Sequence, residues 1–268
     1  MRILLTGARG FLGSRIRQAM DVIPAPSLQK LGQEEIAALV GETAPDVIVH
    51  TAAISDIGAC QANPEGSYRA NVEQPIWLAE AAWGAKLVML STDQVYSAHP
   101  GPGPYREEDV APGNLYAQHK LEMERRVLEI SPDAVLLRAT WMYDLPQYGV
   151  PNRGNYLMNL LKAAATGAPM LVPMEQYRAL TYVREAAKNM EKAMRLPGGV
   201  YNYGSETELT MGQITRQLRD RLGLNLQILP GQPRHNLWMD CSKATEHGCT
   251  FSATVEGLET CLSDYGLI

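Results

Sequence analysis

A tyrosine and a lysine four residues apart, Tyr116 and Lys120, are the pair in this sequence best suited to proton transfer. Residues four apart share one face of a helix, so the segment NLYAQHKLEMER places the phenol and the amine side by side. An adjacent ammonium group stabilises a phenolate, and we therefore expect the pKa of Tyr116 to fall from about 10 toward working pH. The pair is a candidate acid–base site; alternatively, both residues only cover a helix edge.

Polar residues at the tip of a predicted strand form a second candidate. The segment STDQVYS follows the apolar run 86–90 and presents Thr92 and Asp93. In an open parallel sheet, ligands bind beyond the carboxyl ends of the strands. There the Thr92 hydroxyl and the Tyr116 phenol would both bond a carbonyl oxygen, the phenol would deliver a proton, and Lys120 would hold a nicotinamide ribose. The alternative is that Thr92 only caps a turn.

A glycine-rich turn follows the first predicted strand. TGARGFLGSRI contains Gly7, Gly10 and Gly13 in the spacing G-x-x-G-x-x-G, and Phe11 and Leu12 between these glycines are also candidate cofactor contacts. Glycines allow a tight turn and let backbone amides approach a pyrophosphate at the helix N-terminus. The segment predicts a dinucleotide-binding loop, and the alternative is a turn that binds nothing.

The end of the second predicted strand bears on the choice of cofactor. An NAD site usually places an acidic residue there to hold the ribose hydroxyls, whereas residues 22–27, VIPAPS, contain none. Arg9, inside the glycine loop, is placed to meet a 2′-phosphate. We therefore expect NADP(H), with NAD(H) as the alternative if Arg9 is only a solvated surface charge.

The order of apolar segments predicts a doubly wound α/β fold. Short runs rich in valine, isoleucine and leucine alternate with helical patterns, as in a parallel sheet covered on both faces. The predicted strands are 2–6, 22–24, 46–52, 86–91 and 134–139, and the predicted helices lie near 12–20, 33–43, 64–83 and 113–130.

The chain beyond these elements differs in character. After residue 138, prolines and glycines divide it into short pieces, although a helix begins at Met211 with a capping box from Thr210 to Gln213. We expect a Rossmann domain over 1–140 and, over 141–268, mainly a smaller substrate-binding lobe with segments that return to the sheet.

Composition narrows the class of partner. The net charge is −5, and no basic run exceeds two residues, which argues against nucleic acid and anionic membranes as partners. Four cysteines without a Cys-x-x-Cys pair and five histidines without His-x-x-x-His spacing predict reduced thiols and no metal site. Because residues 1–6 already form a strand, we expect no signal peptide and a cytoplasmic protein.

Several segments together resemble the extended short-chain dehydrogenase/reductase family over nearly the whole chain. They are ILLTGARGFLG, PDVIVHTAA, CQANPEGSYRANVEQPIWLAEAA, LSTDQVY, PYREEDVAPGNLYAQHKLEMER, LLRATWMY, GVYNYGSETELT and DCSKATEHG. The resemblance implies an NADPH-dependent reductase acting on the 4-keto group of a nucleotide-linked deoxysugar. It also allows a homodimer.

The same resemblance implies roles for particular residues. Thr92, Tyr116 and Lys120 would be the catalytic trio, with the last two also contacting the cofactor. The remaining implied contacts are Ala52 and Ala53 for the cofactor, and Asp93, Trp141, Asn155 and Arg178 for the sugar nucleotide. Arg178 would pair with the diphosphate, unless it is a surface arginine.

Departures from the family pattern leave the substrate open. Ala117 and His119 stand where glycine and a hydroxyl residue are usual, and Gly58 stands where aspartate is common. The alternatives are therefore a nucleotide-sugar epimerase or dehydratase that retains its cofactor, and a cofactor-binding regulatory subunit similar to the β subunit of methionine adenosyltransferase.

Overall fold

The structure, a computed structural model, describes residues 1–151 and 154–268. Its main feature is a six-stranded parallel sheet in the order β2-β1-β3-β4-β5-β9. The six strands are β1 (Ile3–Thr6), β2 (Ile23–Pro24), β3 (Val47–His50), β4 (Lys86–Thr92), β5 (Val135–Ala139) and β9 (Gly199–Tyr203). The predicted doubly wound parallel sheet is confirmed. Each predicted strand begins and ends within two residues of the strand in the structure.

The strands are apolar throughout because both faces of the sheet are covered. In β1, Ile3 and Leu5 pack on one face against α1 (Phe11–Ala19) and α8 (Val183–Ala193). Leu4, pointing the other way, packs against α2 (Gln33–Thr43), α5 (Gln74–Ala81) and α6 (Leu115–Ile130). Alternate residues of one strand thus enter two different cores.

The chain order creates a crevice at the carboxyl edge of the sheet. After β1 the chain forms β2 on one side of it, and then crosses to form β3 on the other side. Ligands bind at this kind of switch point in open α/β sheets. The segments that follow β1, β3 and β4 therefore converge on one place.

The predicted helix over 64–83 is wrong in detail. The structure divides it into α4 (Pro64–Tyr68), a π-helical turn (Arg69–Glu73) and α5, preceded by α3 (Ile57–Ala62). Pro75 has no amide hydrogen to donate to the carbonyl four residues earlier, which accounts for the wider turn before it.

A further hydrophobic cluster forms within the C-terminal half of the chain. It gathers side chains from 143 to 262, including Tyr156, Leu180, Ile214 and Leu258. The remaining strands, β6 (Trp141–Tyr143), β7 (Met170–Val172), β8 (Leu180–Tyr182) and β10 (Ile228–Pro230), pair as β6-β8 and β7-β10, and the remaining helices are α7 (Tyr156–Thr166), α9 (Met211–Arg221), α10 (Ser242–Glu246) and α11 (Thr254–Asp264). The predicted capping box of α9 is confirmed.

Across residues 1–151 and 154–268, none of the helices combines the length and apolar character needed to span a bilayer.

Candidate active site

A cleft with a volume of about 1260 Å³ lies over the crevice and extends to the C-terminal half. Thirteen of the fifteen predicted site residues line it, and the other two, Gly13 and Lys120, are not part of its lining. Those in the wall are Gly7, Arg9, Gly10, Phe11, Leu12, Ala52, Ala53, Thr92, Asp93, Tyr116, Trp141, Asn155 and Arg178.

The glycine loop is packed so tightly that side chains would not fit. Gly7 has φ +68°, and its carbonyl accepts the Gly10 amide at 2.7 Å. A Cβ on Gly13 would lie 2.2 Å from the Gly7 oxygen, and one on Gly7 would lie 2.6 Å from the Ala52 nitrogen. The first amides of α1 have no carbonyl partner within the helix, so the loop fits a pyrophosphate.

The residues around the glycine loop include a positive charge at Arg9 and no negative charge at the end of β2. Arg9 is exposed at the cleft, while β2 ends at Pro24 and is followed by Ala25, with no acidic residue. A cation without a competing carboxylate suits a ribose that carries a 2′-phosphate.

Thr92 and Tyr116 meet where β4 ends and α6 begins. Asn114 caps α6 by accepting the Ala117 amide at 3.0 Å, which places Tyr116 in the first turn. The Thr92 hydroxyl accepts the Gln94 amide at 3.2 Å, so it does cap a turn, and it lies close enough to Tyr116 to lower the pKa of that phenol. The two hydroxyls thus face the cleft as a pair.

The expectation that Lys120 lowers the pKa of Tyr116 is wrong. Burial raises the pKa of this phenol well above its usual value; the neighbouring Thr92 hydroxyl opposes that rise, and the charge of Asp93 adds to it. Burial also lowers the pKa of Lys120 to about 8, against the opposing charge of Glu124. Both side chains are nearly inaccessible, and burial penalises the charged form of each.

Arg178 is held inside the cleft by two other predicted residues. Its Nη2 atom lies 3.1 Å from Oδ2 of Asp93, and its guanidinium stacks 4.8 Å from the ring centre of Trp141. Arg178 is therefore not a surface arginine. Asp93 balances its charge next to Thr92, so Arg178 lies beside the reacting groups, and its pairing with a diphosphate stays a prediction.

Asn155 lines the cleft and also caps the helix α7. Its side-chain oxygen caps α7 by accepting the Met158 amide at 3.1 Å, and its amide donates to the Asp144 carbonyl at 2.8 Å. Asp144 in turn pairs with Arg15 of α1, with both side chains fully buried. This chain of contacts links the glycine-loop helix to the far wall of the cleft.

Several residues that the sequence analysis missed also line the cleft. They share no spacing pattern, because they come from loops and turns; those with polar side chains include Thr51, Ser55, Asp56, Gln94, Gln176, Arg234 and His235. Three of them had a signal, because they lie beside predicted residues: Thr51 directly precedes Ala52, Gln94 directly follows Asp93, and Gln176 lies two residues before Arg178. No cluster of three or more histidine, cysteine or acidic residues in the described ranges could hold a metal ion.

Known proteins of one family are similar to most of this chain. The RmlD substrate binding domain family matches residues 1–234. The dTDP-4-dehydrorhamnose reductase of Streptomyces griseus is 31% identical over 221 residues, which cover 75% of this chain and 69% of that protein. Alignments with two other curated reductases of that name cover 50% and 60% of those proteins.

Two further likenesses cover almost the whole chain. The β subunit of methionine adenosyltransferase 2 from Danio rerio is 26% identical over 94% of this chain and 87% of that protein. The crystal structure of the Bacillus anthracis dTDP-4-dehydrorhamnose reductase in complex with NADP superposes with a TM-score of 0.85 at 21% identity, covering 98% of each chain. That superposition confirms the fold.

Proposed function

The chain belongs to the RmlD substrate binding domain family, and we propose that it is an NADPH-dependent reductase of a 4-keto nucleotide deoxysugar, similar to dTDP-4-dehydrorhamnose reductase. The observation that carries this proposal is the meeting of Thr92 and Tyr116 at the cleft beside a glycine loop that only glycines fit. Relatives that bear the reductase name support it.

The cofactor supplies a hydride to the carbonyl carbon when it is bound. The residues that would hold it are the loop 7–13, Ala52 and Ala53, with Arg9 facing a 2′-phosphate and Lys120 reaching the nicotinamide ribose. An epimerase or dehydratase reading is less favoured, because the curated relatives compared above that are at least 30% identical carry the reductase name. A cofactor that survives purification in stoichiometric amount would favour it.

Proton transfer would fall to Tyr116. Because burial keeps its phenol protonated, Tyr116 can donate both a hydrogen bond and then a proton to the carbonyl oxygen as reduction proceeds. Thr92 would bond the same oxygen, and its own position is fixed by the Gln94 amide. Asp93, Arg178 and Trp141 would contact the sugar, since they lie next to Thr92 in the cleft wall.

The proposal also covers the binding partner and the cellular compartment of the protein. A nucleotide sugar is the proposed partner, because the cleft has room for a cofactor and a second large ligand. The four cysteines are unpaired and buried, as is usual in a reducing compartment, and we place the protein in the cytoplasm as part of the same proposal.

The test is oxidation of NADPH on addition of dTDP-4-dehydrorhamnose, followed by absorbance, with NADH in a parallel cuvette. We expect turnover with NADPH, and a loss of about 100-fold or more in Tyr116→Phe, because a positioned general acid contributes about 10²–10⁴ to the rate. The variant should bind NADPH as tightly as the unmodified protein. Near-normal turnover of Tyr116→Phe would remove this residue from the mechanism.

The alignment with the methionine adenosyltransferase β subunit favours one second candidate, a cofactor-binding regulatory subunit. NADPH binding without oxidation by any 4-keto deoxysugar nucleotide, together with co-purification of a synthetase, would support that candidate against the reductase.

A further inference from the structure

Glu124 is a buried acidic residue on the helix that carries the proposed catalytic pair. It follows Lys120 by four residues and Tyr116 by eight, so all three lie along one face of α6. Only 3% of its surface is exposed. The proposed reaction assigns no role to Glu124, although the charge of a carboxylate this deeply buried needs a partner.

Arg138, near the end of β5, is that partner. Its Nη2 donates to Oε2 of Glu124 at 2.6 Å and its Nε donates to Oε1 at 3.0 Å, and each of the two side chains is 4% exposed. The Ser91 hydroxyl donates to Oε1 as well. Since Ser91 directly precedes Thr92, the carboxylate joins α6 to both neighbouring strands at the edge where Thr92 lies.

The remaining donor group of Arg138 is also engaged. Its Nη1 donates to the Tyr96 hydroxyl at 2.9 Å and to the Glu107 carbonyl at 2.6 Å. The guanidinium is therefore fixed from several sides and holds Glu124 in a bidentate geometry. In the described part of the chain, Lys120 is not among the hydrogen-bond partners of Glu124.

A buried ion pair of this kind is poor evidence for stability, because the cost of removing both charges from water offsets their attraction. The neighbours of Lys120 indicate a different role. From β3 it faces His50, whose pKa is lowered to about 3 by burial and then by Lys120, so the imidazole is neutral at working pH. On α6, Glu124 is the acid whose negative charge favours the protonated form of Lys120.

We propose that Glu124 and Arg138 are a positioning pair that sets the negative charge felt by Lys120. Glu124 keeps the amine protonated inside the protein. Arg138 occupies both carboxylate oxygens, so Lys120 is not drawn into a direct salt bridge away from Tyr116 and the ribose. This inference deepens the proposed function, because the task of Lys120 belongs to that reaction.

The test measures the titration of Lys120 itself. With ¹³C at the lysine Cε atoms, only seven lysines contribute signals, and Lys120→Arg assigns the one of interest. We expect Glu124→Gln to lower the titration midpoint by about one pH unit, since a nearby opposite charge shifts a pKa by about 1–3 units. We expect Arg138→Met to raise the midpoint, because it releases the full charge of Glu124 toward Lys120.

Opposite shifts in the two variants are the signature of the proposal. Midpoints that stay within about 0.3 units of the unmodified protein, or that move in the same direction, would overturn it. Glu122→Gln is the matched control: Glu122 lies two residues after Lys120 on α6, pairs with Arg126 at 3.5 Å, and should leave the midpoint unchanged.

Removing one member of a buried pair leaves the other charge unpaired, so a variant that keeps the hydrogen bonds is needed if Arg138→Met does not fold. In Glu124→Gln/Arg138→Gln both side chains are neutral amides. The midpoint should then lie below that of the unmodified protein, and an unchanged midpoint would overturn the proposal.

This titration needs no substrate, so it separates the two ideas. Shifts of Lys120 without any reductase activity would keep the pair and reject the proposed function. Reductase activity without the shifts would support the proposed function and reject the role of the Glu124–Arg138 pair. If both hold, the alkaline limb of the kcat/KM profile should move in the same direction as the NMR midpoint in each variant.

Discussion

Gly13→Ala tests whether close packing, and not helix preference, dictates the glycine loop. The new Cβ would lie 2.2 Å from the Gly7 oxygen, 2.8 Å from its carbonyl carbon and 3.0 Å from the Ala8 Cα atom, whereas Cβ atoms essentially never approach within 3.0 Å. The first contact must therefore lengthen by about 0.8 Å, from 2.2 to 3.0 Å. All three atoms belong to the backbone, so the loop itself must move.

The expected loss follows from two opposing effects. Overpacking of this kind costs about 1–3 kcal/mol, whereas alanine in a helix is favoured over glycine by about 1 kcal/mol. Because no flexible side chain can give way, we expect the free energy of unfolding to fall by about 1–2 kcal/mol. The displaced amides should weaken NADPH binding by at least about tenfold, which corresponds to 1.4 kcal/mol.

Urea denaturation followed by circular dichroism measures the first effect, and fluorescence titration with NADPH measures the second. Gly41→Ala is the matched control, because Gly41 is an exposed glycine within α2 with nothing within 4 Å of an added Cβ. It should gain about 0.5–1 kcal/mol and bind NADPH normally. A Gly13→Ala protein that matches this control in stability or affinity would refute the reasoning.

Two further predictions concern buried charges. Arg178→Met leaves the charge of the buried Asp93 carboxylate unpaired, so the free energy of unfolding should fall by about 3–5 kcal/mol and KM for the sugar nucleotide should rise. Arg178→Lys should recover part of both, and equal losses in the two variants would contradict this. Burial lowers the pKa of His50 from 6.5 to about 3, so between these pH values the unfolded chain binds a proton at His50 that the folded chain does not bind. The free energy of unfolding should therefore fall by up to about 1.4 kcal/mol per pH unit as the pH is lowered from 6.5 to 3. Urea midpoints across that range should show a shallower slope in His50→Asn, and an equal slope would count against the burial argument.

Local spacing predicted the parts of the site that lie within one turn or one helix. Tyr116 and Lys120 share a helix face because they are four residues apart. The glycine loop was predicted from three glycines spaced three residues apart, within a segment of seven residues. Pairings between distant segments had no such signal. Asp93 and Arg178 are 85 residues apart, and their contact depends on how β8 and the segment before it meet the end of β4.

The degree of burial of each side chain could not be predicted from the sequence either. The spacing of Tyr116 and Lys120 correctly put two groups on one helix face, but the sign of the pKa shift depends on how much water surrounds them. α6 lies against the sheet, so the penalty for a charged phenol exceeds any benefit from the neighbouring amine. The same limitation hid Glu124, which the helical pattern alone would place among the ordinary charges of a solvated face.

The corrected electrostatics fit reduction better than the original expectation did. A phenol whose pKa had fallen to working pH would be partly ionised, and only its protonated form can supply a proton to a carbonyl oxygen. With its pKa raised by burial, Tyr116 stays protonated throughout the neutral range. Lys120, with a pKa of about 8, is then the first of the pair to lose its proton as pH rises, and at pH 7 about nine-tenths of it remains charged. The cleft therefore combines a neutral proton donor with a buried cation, and the ion pair of Glu124 with Arg138 determines how far that cation persists above neutral pH.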